Sequence, residues 1–282
     1  RAAAHCGATI FGVGSGLTGM DTEDIGRFFA DLYQDLGNGT DEAGKQVRFD
    51  IDMGFKPHQV VANDLVCEDI TVVTLDGELD IRAGEYVFVW IPGVGEKPFS
   101  CLTHDPVRLA VINVGEFTAQ CYDLSQGDEI FLRGPHGVPV TPREDAHIVC
   151  VAGGTGLAPF LAMLESLKEK GCEQPTHMIY GVTNDDDLVG LAALEAFAEA
   201  IDNFTFKTVV ASDESMHPRK GYVTNHMEDA PINDGDVDVY LCGPPPMVDA
   251  VLGYFREQGI EPNSFHYEKF TPSVSVVEEK VA

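Results

Sequence analysis

Residues 142–270 alternate apolar strand candidates with helix candidates, and this alternation restricts the fold more than any other feature of the chain. "HIVCVAGG" runs into a helix over 157–170, and "THMIYGV" into a helix over 191–201. "FKTVVAS" leads to a turn and a short helix over 222–228, "VDVYLCG" leads to a helix over 246–258, and "SFHYEKF" closes the series. Alternation at this period predicts a parallel sheet with helices on both faces. Two of its strand ends are glycine junctions. "VCVAGGTGLAPF" sets Gly153, Gly154, Thr155 and Gly156 between a strand and a helix, and "VYLCGPPPMV" sets Cys242, Gly243 and Pro244 in the same position. Glycine lets backbone approach a ligand closely, and a helix N-terminus offers N–H groups to an anion. Either junction alone also reads as a tight strand–helix turn with no ligand. Together, on one edge of one sheet, they predict a dinucleotide lying across the C-terminal ends of the strands.

Residues 45–141 have a different rhythm. Short strands are expected at His58–Val66, Asp69–Leu75, Glu85–Ile91, Pro98–Leu102, Val107–Asn113 and Asp128–Arg133, with one helix at Glu116–Asp123. The turns "LDGEL", "IPGVGEK" and "THDP" separate them, which predicts a small antiparallel β-barrel. "EKPFSCL" brings a cation (Lys97), an aromatic (Phe99) and a hydroxyl (Ser100) to one strand. Such a trio suits a phosphate, a ring face and a ring nitrogen, and equally a buried strand edge. "VGEFTAQCYD" puts Gly115 and Thr118 at a helix start, a second anion-binding feature.

Residues 1–44 hold one strand candidate, "ATIFGV", the glycine loop "FGVGSGL", and a helix with Ile25, Phe28, Phe29, Leu32 and Leu36 on one face. One strand and one amphipathic helix cannot bury these faces alone. The chain begins with Arg, which reads as an N-terminus cut from a longer protein. Residues 271–282 are a short tail without a core of their own. The net charge of −28 disfavours nucleic acid as a partner and fits either an ordinary solvated surface or life at high salt. With no apolar run long enough to span a bilayer and no signal-peptide pattern, a cytoplasmic location is expected. The seven cysteines contain no CxxC, the closest two being Cys101 and Cys121, so neither a metal site nor an iron–sulfur cluster within this chain is expected.

"EKPFS", "VGEFT", "FLRGPHG", "VAGGTGLAPFLAML", "RKGYVT" and "CGPPPMV" occur in this order. Over residues 55–270 the set resembles the ferredoxin–NADP reductase superfamily. "GVGEKPFS" is most similar to the electron-transfer subunit of dihydroorotate dehydrogenase and to flavin subunits of hydrogenases. "RKGYVTNHM" and "HYEKF" are more similar to reductases of aromatic-ring oxygenases. The resemblance implies a two-domain fold: a flavin-binding barrel (45–141), then a nicotinamide-binding α/β domain (142–270). It implies FAD held by Lys97, Pro98, Phe99 and Ser100, with Lys97 in place of the usual Arg. Lysine keeps the charge but lacks the bidentate fork. It implies a flavin diphosphate at Ile112, Gly115, Phe117 and Thr118, and a nicotinamide-dinucleotide pyrophosphate at Gly153, Gly154, Thr155 and Gly156. Cys242, Gly243 and Pro244 fall at the nicotinamide end.

In this reading hydride passes from the nicotinamide to the flavin. Ser100 steadies the flavin, Cys242 flanks the nicotinamide and Phe270 covers the ring. Cys242 also reads as a buried strand-end thiol, and Phe270 as ordinary packing. Relatives that use NADPH carry Ser-Arg after the third strand, where this chain has Ser212 and Asp213. A carboxylate repels a 2′-phosphate and accepts from a ribose hydroxyl, so NADH is expected over NADPH, although Arg219 and Lys220 lie close in sequence. Residues 1–44 resemble the last strand and helix of a dihydroorotate dehydrogenase barrel, with Gly14, Ser15 and Gly16 as its phosphate loop. The alternative is an unrelated extension. The expected function is an NADH-oxidising flavoprotein module serving a fused or partner redox protein, with a dihydroorotate dehydrogenase-type enzyme as the candidate partner. A stand-alone oxygenase or ferredoxin reductase, and a non-catalytic nucleotide-binding module, are the alternatives, and the oligomeric state stays open.

Overall fold

In the computed structural model residues 54–270 are described, apart from Glu144 and Cys172. The expected strand–helix unit of residues 1–44 and the tail of residues 271–282 lie outside the described residues.

Seven antiparallel strands come first: β1 (Lys56–Cys67), β2 (Ile70–Leu75), β3 (Glu85–Ile91), β4 (Gly95–Phe99), β5 (Thr103–His104), β6 (Val107–Ile112) and β7 (Glu129–Gly137). They form one barrel-like sheet in the order β4-β3-β7-β1-β2-β6-β5. Alternation sets the inside. On β3, Val87, Val89 and Ile91 are buried while Tyr86, Phe88 and Trp90 between them are half-buried, as the period of two requires. Val73 and Leu75 of β2, Leu109 and Val111 of β6, and Ile130 and Leu132 of β7 complete that core. Helix α1 (Glu116–Asp123) seats Phe117 and Cys121, four residues apart, in the same core.

Five parallel strands follow: β8 (His147–Gly153), β9 (Thr176–Val182), β10 (Phe204–Val210), β11 (Val237–Gly243) and β12 (Ser264–Lys269). Their order is β10-β9-β8-β11-β12. Helices α2 (Ala158–Lys170), α3 (Leu191–Ala200) and α4 (Pro245–Gln258) cover the sheet. All seven residues of β11 are buried, as expected of an inner strand of a parallel sheet, including Asp238, whose carboxylate accepts from Ser264 Oγ at 2.7 Å.

Besides the core of each, the two sheets share one hydrophobic cluster. Ile70 and Val72 of β2, Ala110 of β6, and Ala83 and Leu102 pack in one cluster with Ile148 and Cys150 of β8 and Phe160, Leu161 and Leu164 of α2. Strand β2 is therefore buried on both faces, Val73 and Leu75 toward the barrel and Ile70 and Val72 toward the α/β domain. Each large apolar side chain so buried contributes about 1.5–3 kcal/mol. A hydrogen bond crosses the same seam, from Cys67 Sγ to Asp187 Oδ1 at 3.3 Å.

Three expected elements are displaced. The strand expected at Pro98–Leu102 is Gly95–Phe99 instead. Val94 N–H closes a tight turn on the Ile91 carbonyl at 3.0 Å, so pairing with β3 starts at once, Gly95 against Ile91. Pro98, which has no N–H to give, sits on the edge strand of the sheet. The last barrel strand runs to Gly137 rather than Arg133, because a register shift between Tyr86 and Phe88 lets β3 continue pairing through His136. The short helix expected over 222–228 is a 3₁₀ segment, Val223–Asp229.

Candidate functional site

The order of the parallel sheet locates a crevice before any side chain is considered. From β8 the chain adds β9 and β10 on one side, then crosses over to add β11 and β12 on the other. The boundary between β8 and β11 is the switch point, where helices depart to opposite sides and open a gap at the C-terminal strand ends. Both glycine junctions lie there, with Cys242 paired to Ala152 in parallel register.

A cleft of about 1740 Å³ opens at this point, and the barrel forms its other wall. Single small-molecule pockets are roughly 300–1,000 Å³, so there is room for more than one such ligand. Lys97, Pro98 and Phe99 of β4, Ser100 just beyond it, Ile112, Gly115 just before α1, and Phe117 and Thr118 of α1 line the barrel side. Gly153, Gly154, Thr155, Pro244 and Phe270 line the α/β side. These thirteen sequence-predicted residues are brought to one space.

On the barrel side, the Phe99 and Phe117 rings lie 6.1 Å apart. Thr118 Oγ1 accepts from the Val114 and Gly115 N–H groups, both at 3.0 Å, and donates to the Gly115 carbonyl at 2.9 Å. The hydroxyl thus folds the turn that leads into α1. No side chain caps the helix start, and a Cβ built on Gly115 meets no other group within 4 Å. Open backbone at a helix N-terminus facing a cleft fits an anionic diphosphate.

On the α/β side, Gly154 has φ +56°, a conformation that L side chains rarely adopt. Gly156 is buried, and a Cβ there would overlap the Cys242 carbonyl oxygen. One junction therefore packs backbone-to-backbone on the other, so Gly156 serves packing while Gly153, Gly154 and Thr155 face the cleft. Cys242 and Gly243 are buried behind the wall. Burial pushes the Cys242 thiol well above its ordinary pKa, so it stays protonated. Phe270 is held at the wall by its N–H, which donates to the Gly243 carbonyl at 3.1 Å.

Asp213 is exposed on the loop after β10 and is not among the residues that line the cleft. That loop is braced by Ser215 Oγ donating to Asp185 Oδ1 at 2.7 Å and by a Thr208 Oγ1–His217 Nε2 hydrogen bond of 2.9 Å. Lys220 Nζ donates to the Asp213 carbonyl at 2.9 Å.

Among the cleft residues to which the sequence assigned no role are Tyr86, Tyr222, Met247 and Glu268. Tyr222 is 72% exposed directly after Gly221, whose φ is +99°. "RKGYVT" contained the signal, an aromatic at a glycine turn. Glu268 stands on β12 with its surface exposed, yet the surrounding walls desolvate its carboxyl and raise its pKa. Among the described residues no three His, Cys, Asp or Glu side chains gather as metal ligands, and no helix is long and apolar enough to cross a membrane.

Residues 150–252 match the family model described as the oxidoreductase NAD-binding domain. The toluate 1,2-dioxygenase electron transfer component of Pseudomonas putida is 45% identical over 203 residues, which cover 70% of this chain and 60% of that protein. The probable dihydroorotate dehydrogenase B (NAD(+)) electron transfer subunit of Thermococcus kodakarensis is 30% identical over 204 residues, 72% of this chain and 81% of that protein. Among solved structures, the Amycolatopsis cytochrome P450 reductase GcoB superposes with a TM-score of 0.68 at 29% identity, covering 84% of this chain and 74% of that one. The chain spans about 60% of the length of the dioxygenase components that it matches.

Proposed function

This chain belongs to the ferredoxin–NADP reductase superfamily, and from that premise we propose that it is an FAD-dependent NADH oxidoreductase module that passes electrons to a redox partner in the cytoplasm. The observation that carries the reading is the single cleft faced by both motif sets. Bound FAD would supply the redox chemistry, accepting a hydride and releasing electrons singly, which no side chain here can do. The chain's own residues bind, orient and enclose. The N-terminal N–H groups of α1 and the Lys97 ammonium meet the flavin diphosphate. Phe99, backed by Phe117, packs on the ring system, and Ser100 hydrogen-bonds at its edge. Gly153, Gly154 and Thr155 receive the nicotinamide-dinucleotide pyrophosphate. Phe270 shields the ring from water until the nicotinamide takes its place. Cys242 acts through its backbone, because its buried thiol does not reach the cleft.

NADH is the preferred nucleotide in this reading. Asp213 places a carboxylate on the loop after the third parallel strand, and the Lys220 ammonium is tied to that loop's own backbone. The acceptor is a fused or separate redox protein. Identity of 45% to a ring-dioxygenase component, against 30% to a dihydroorotate dehydrogenase subunit, favours an oxygenase component. Anaerobic addition of NADH or NADPH to the flavin-loaded protein tests both points. Bleaching of the visible flavin bands, faster with NADH, is expected, with the preference relaxed in Asp213→Ser. A protein that takes up no flavin, or bleaches equally with both nucleotides, overturns the corresponding part.

A further inference from the structure

Helix α1 carries the anion-binding end of the barrel wall, yet it has only eight residues and spans roughly 12 Å. A helix this short is not stable by itself. Its last carbonyls need donors, and its last turn holds no basic residue. The donor comes from a distant strand. Asn63 of β1 turns its Nδ2 onto the carbonyl oxygens of Cys121, Tyr122 and Leu124 at 3.0, 3.2 and 2.9 Å. Thr71 of β2, 2% exposed, donates its Oγ1–H to Asn63 Oδ1 at 2.6 Å. The carbonyls fix which side of the amide faces the helix, since only the NH₂ group can satisfy them, and the Thr71 hydroxyl, which also lies 3.1 Å from the Asp64 carbonyl, holds the Oδ1 left on the other side. The opposite end of α1 presents its N–H groups to the cleft, and Phe117 in its first turn meets Phe99 of the flavin motif.

We propose that Asn63, locked by Thr71, is a positioning residue for the flavin diphosphate. It holds the C-terminal end of α1 so that the N–H groups at the other end converge on the anion. The inference rests on the FAD reading above. The physical reason is that a helix moves as a rod. Hydrogen bonds weaken steeply as the donor angle falls, so a tilt released at one end is felt by all the N–H groups at the other. The partial positive charge of the amide at the C-terminal carbonyls also reinforces the dipole that attracts the anion.

The test is a pair of affinities measured on the full 282-residue apoprotein by flavin fluorescence: FAD, which has the diphosphate, and riboflavin, which has no phosphate. Asn63→Ala is expected to weaken FAD about tenfold, the effect of losing a clustered hydrogen-bonding group, and to weaken riboflavin, which meets α1 only through Phe117 behind Phe99, much less. Thr71→Val is expected to act in the same direction, and Thr71→Ser, which keeps the hydroxyl, to restore the wild-type ratio. If Asn63→Ala does not fold, the two Thr71 variants decide. Equal loss of FAD and riboflavin affinity would mean a merely structural role and overturns the proposal, as does an unchanged FAD affinity in a folded variant. A wild-type protein that binds neither flavin overturns the proposed function itself, a result distinct from either of these.

Discussion

Single atoms decide two features of the cleft. The missing Cβ of Gly156 lets the first junction rest on the Cys242 carbonyl. Gly156→Ala therefore forces the two junctions apart. Overpacking of this kind typically costs about 1–3 kcal/mol, and the displaced loop should raise KM for NADH more than it lowers kcat; thermal melts and steady-state kinetics check both. Glu268 is the second case. Its carboxyl has a raised pKa through desolvation by the cleft walls, so it stays neutral further up the pH scale than an ordinary glutamate. Below that midpoint it adds no charge to the cleft, and above it a carboxylate adds negative charge to the wall that receives the anionic NADH. KM for NADH is expected to climb with pH through this midpoint, and Glu268→Gln to flatten the profile. At this scale the glycines and "EKPFS" were legible because their chemistry is local. The Asn63 clamp was not, since its partners lie 58 to 61 residues away in the chain. Cys242 was half legible: its position was readable, but only the packed sheet shows that its thiol is turned into the core.

At the scale of elements, what periodicity controls was readable and what pairing controls was not. "EYVFVWI" alternates cleanly and forms the expected strand, β3. The following strand depended on how tightly "IPGVG" closes, a property of the hairpin rather than of either strand. Likewise "ITVVTL" reads as a strand, but nothing within it says that both faces are covered, because the second cover comes from α2 and its neighbours. Leu102 measures the strength of that seam. It is 7% exposed and packs in the cluster shared by the barrel and the α/β domain. Leu102→Ala should destabilise by about 2–5 kcal/mol, and calorimetry should show both domains losing stability in one transition. Two separated transitions would mean that the seam is weak.

For the whole molecule, charge is the dominant variable. Against 46 acidic residues stand 18 Lys and Arg, and self-repulsion at this imbalance opposes compaction. Screening shortens to about 3 Å at 1 M salt, so the melting temperature should rise with sodium chloride from low to molar concentration; a flat or falling curve would refute the repulsion argument. The same field should attract a redox partner with a basic docking face, and that attraction should fade as salt increases.

The joint between the two sheets bears on how such proteins can be recombined. A linker read from sequence, between β7 and β8, invites exchange of one domain for a homologue's. Here Ile70, Val72, Ala83, Leu102 and Ala110 belong to the barrel in sequence and to the α/β core in packing. A chimera cut at the linker would inherit a mismatched surface along its whole inner side. The unit of transplantation is the barrel together with the whole α/β domain, because Met178 and Tyr180 of β9, Leu194 of α3 and Tyr240 of β11 belong to the same cluster, and only such a graft keeps the cleft's two walls in register.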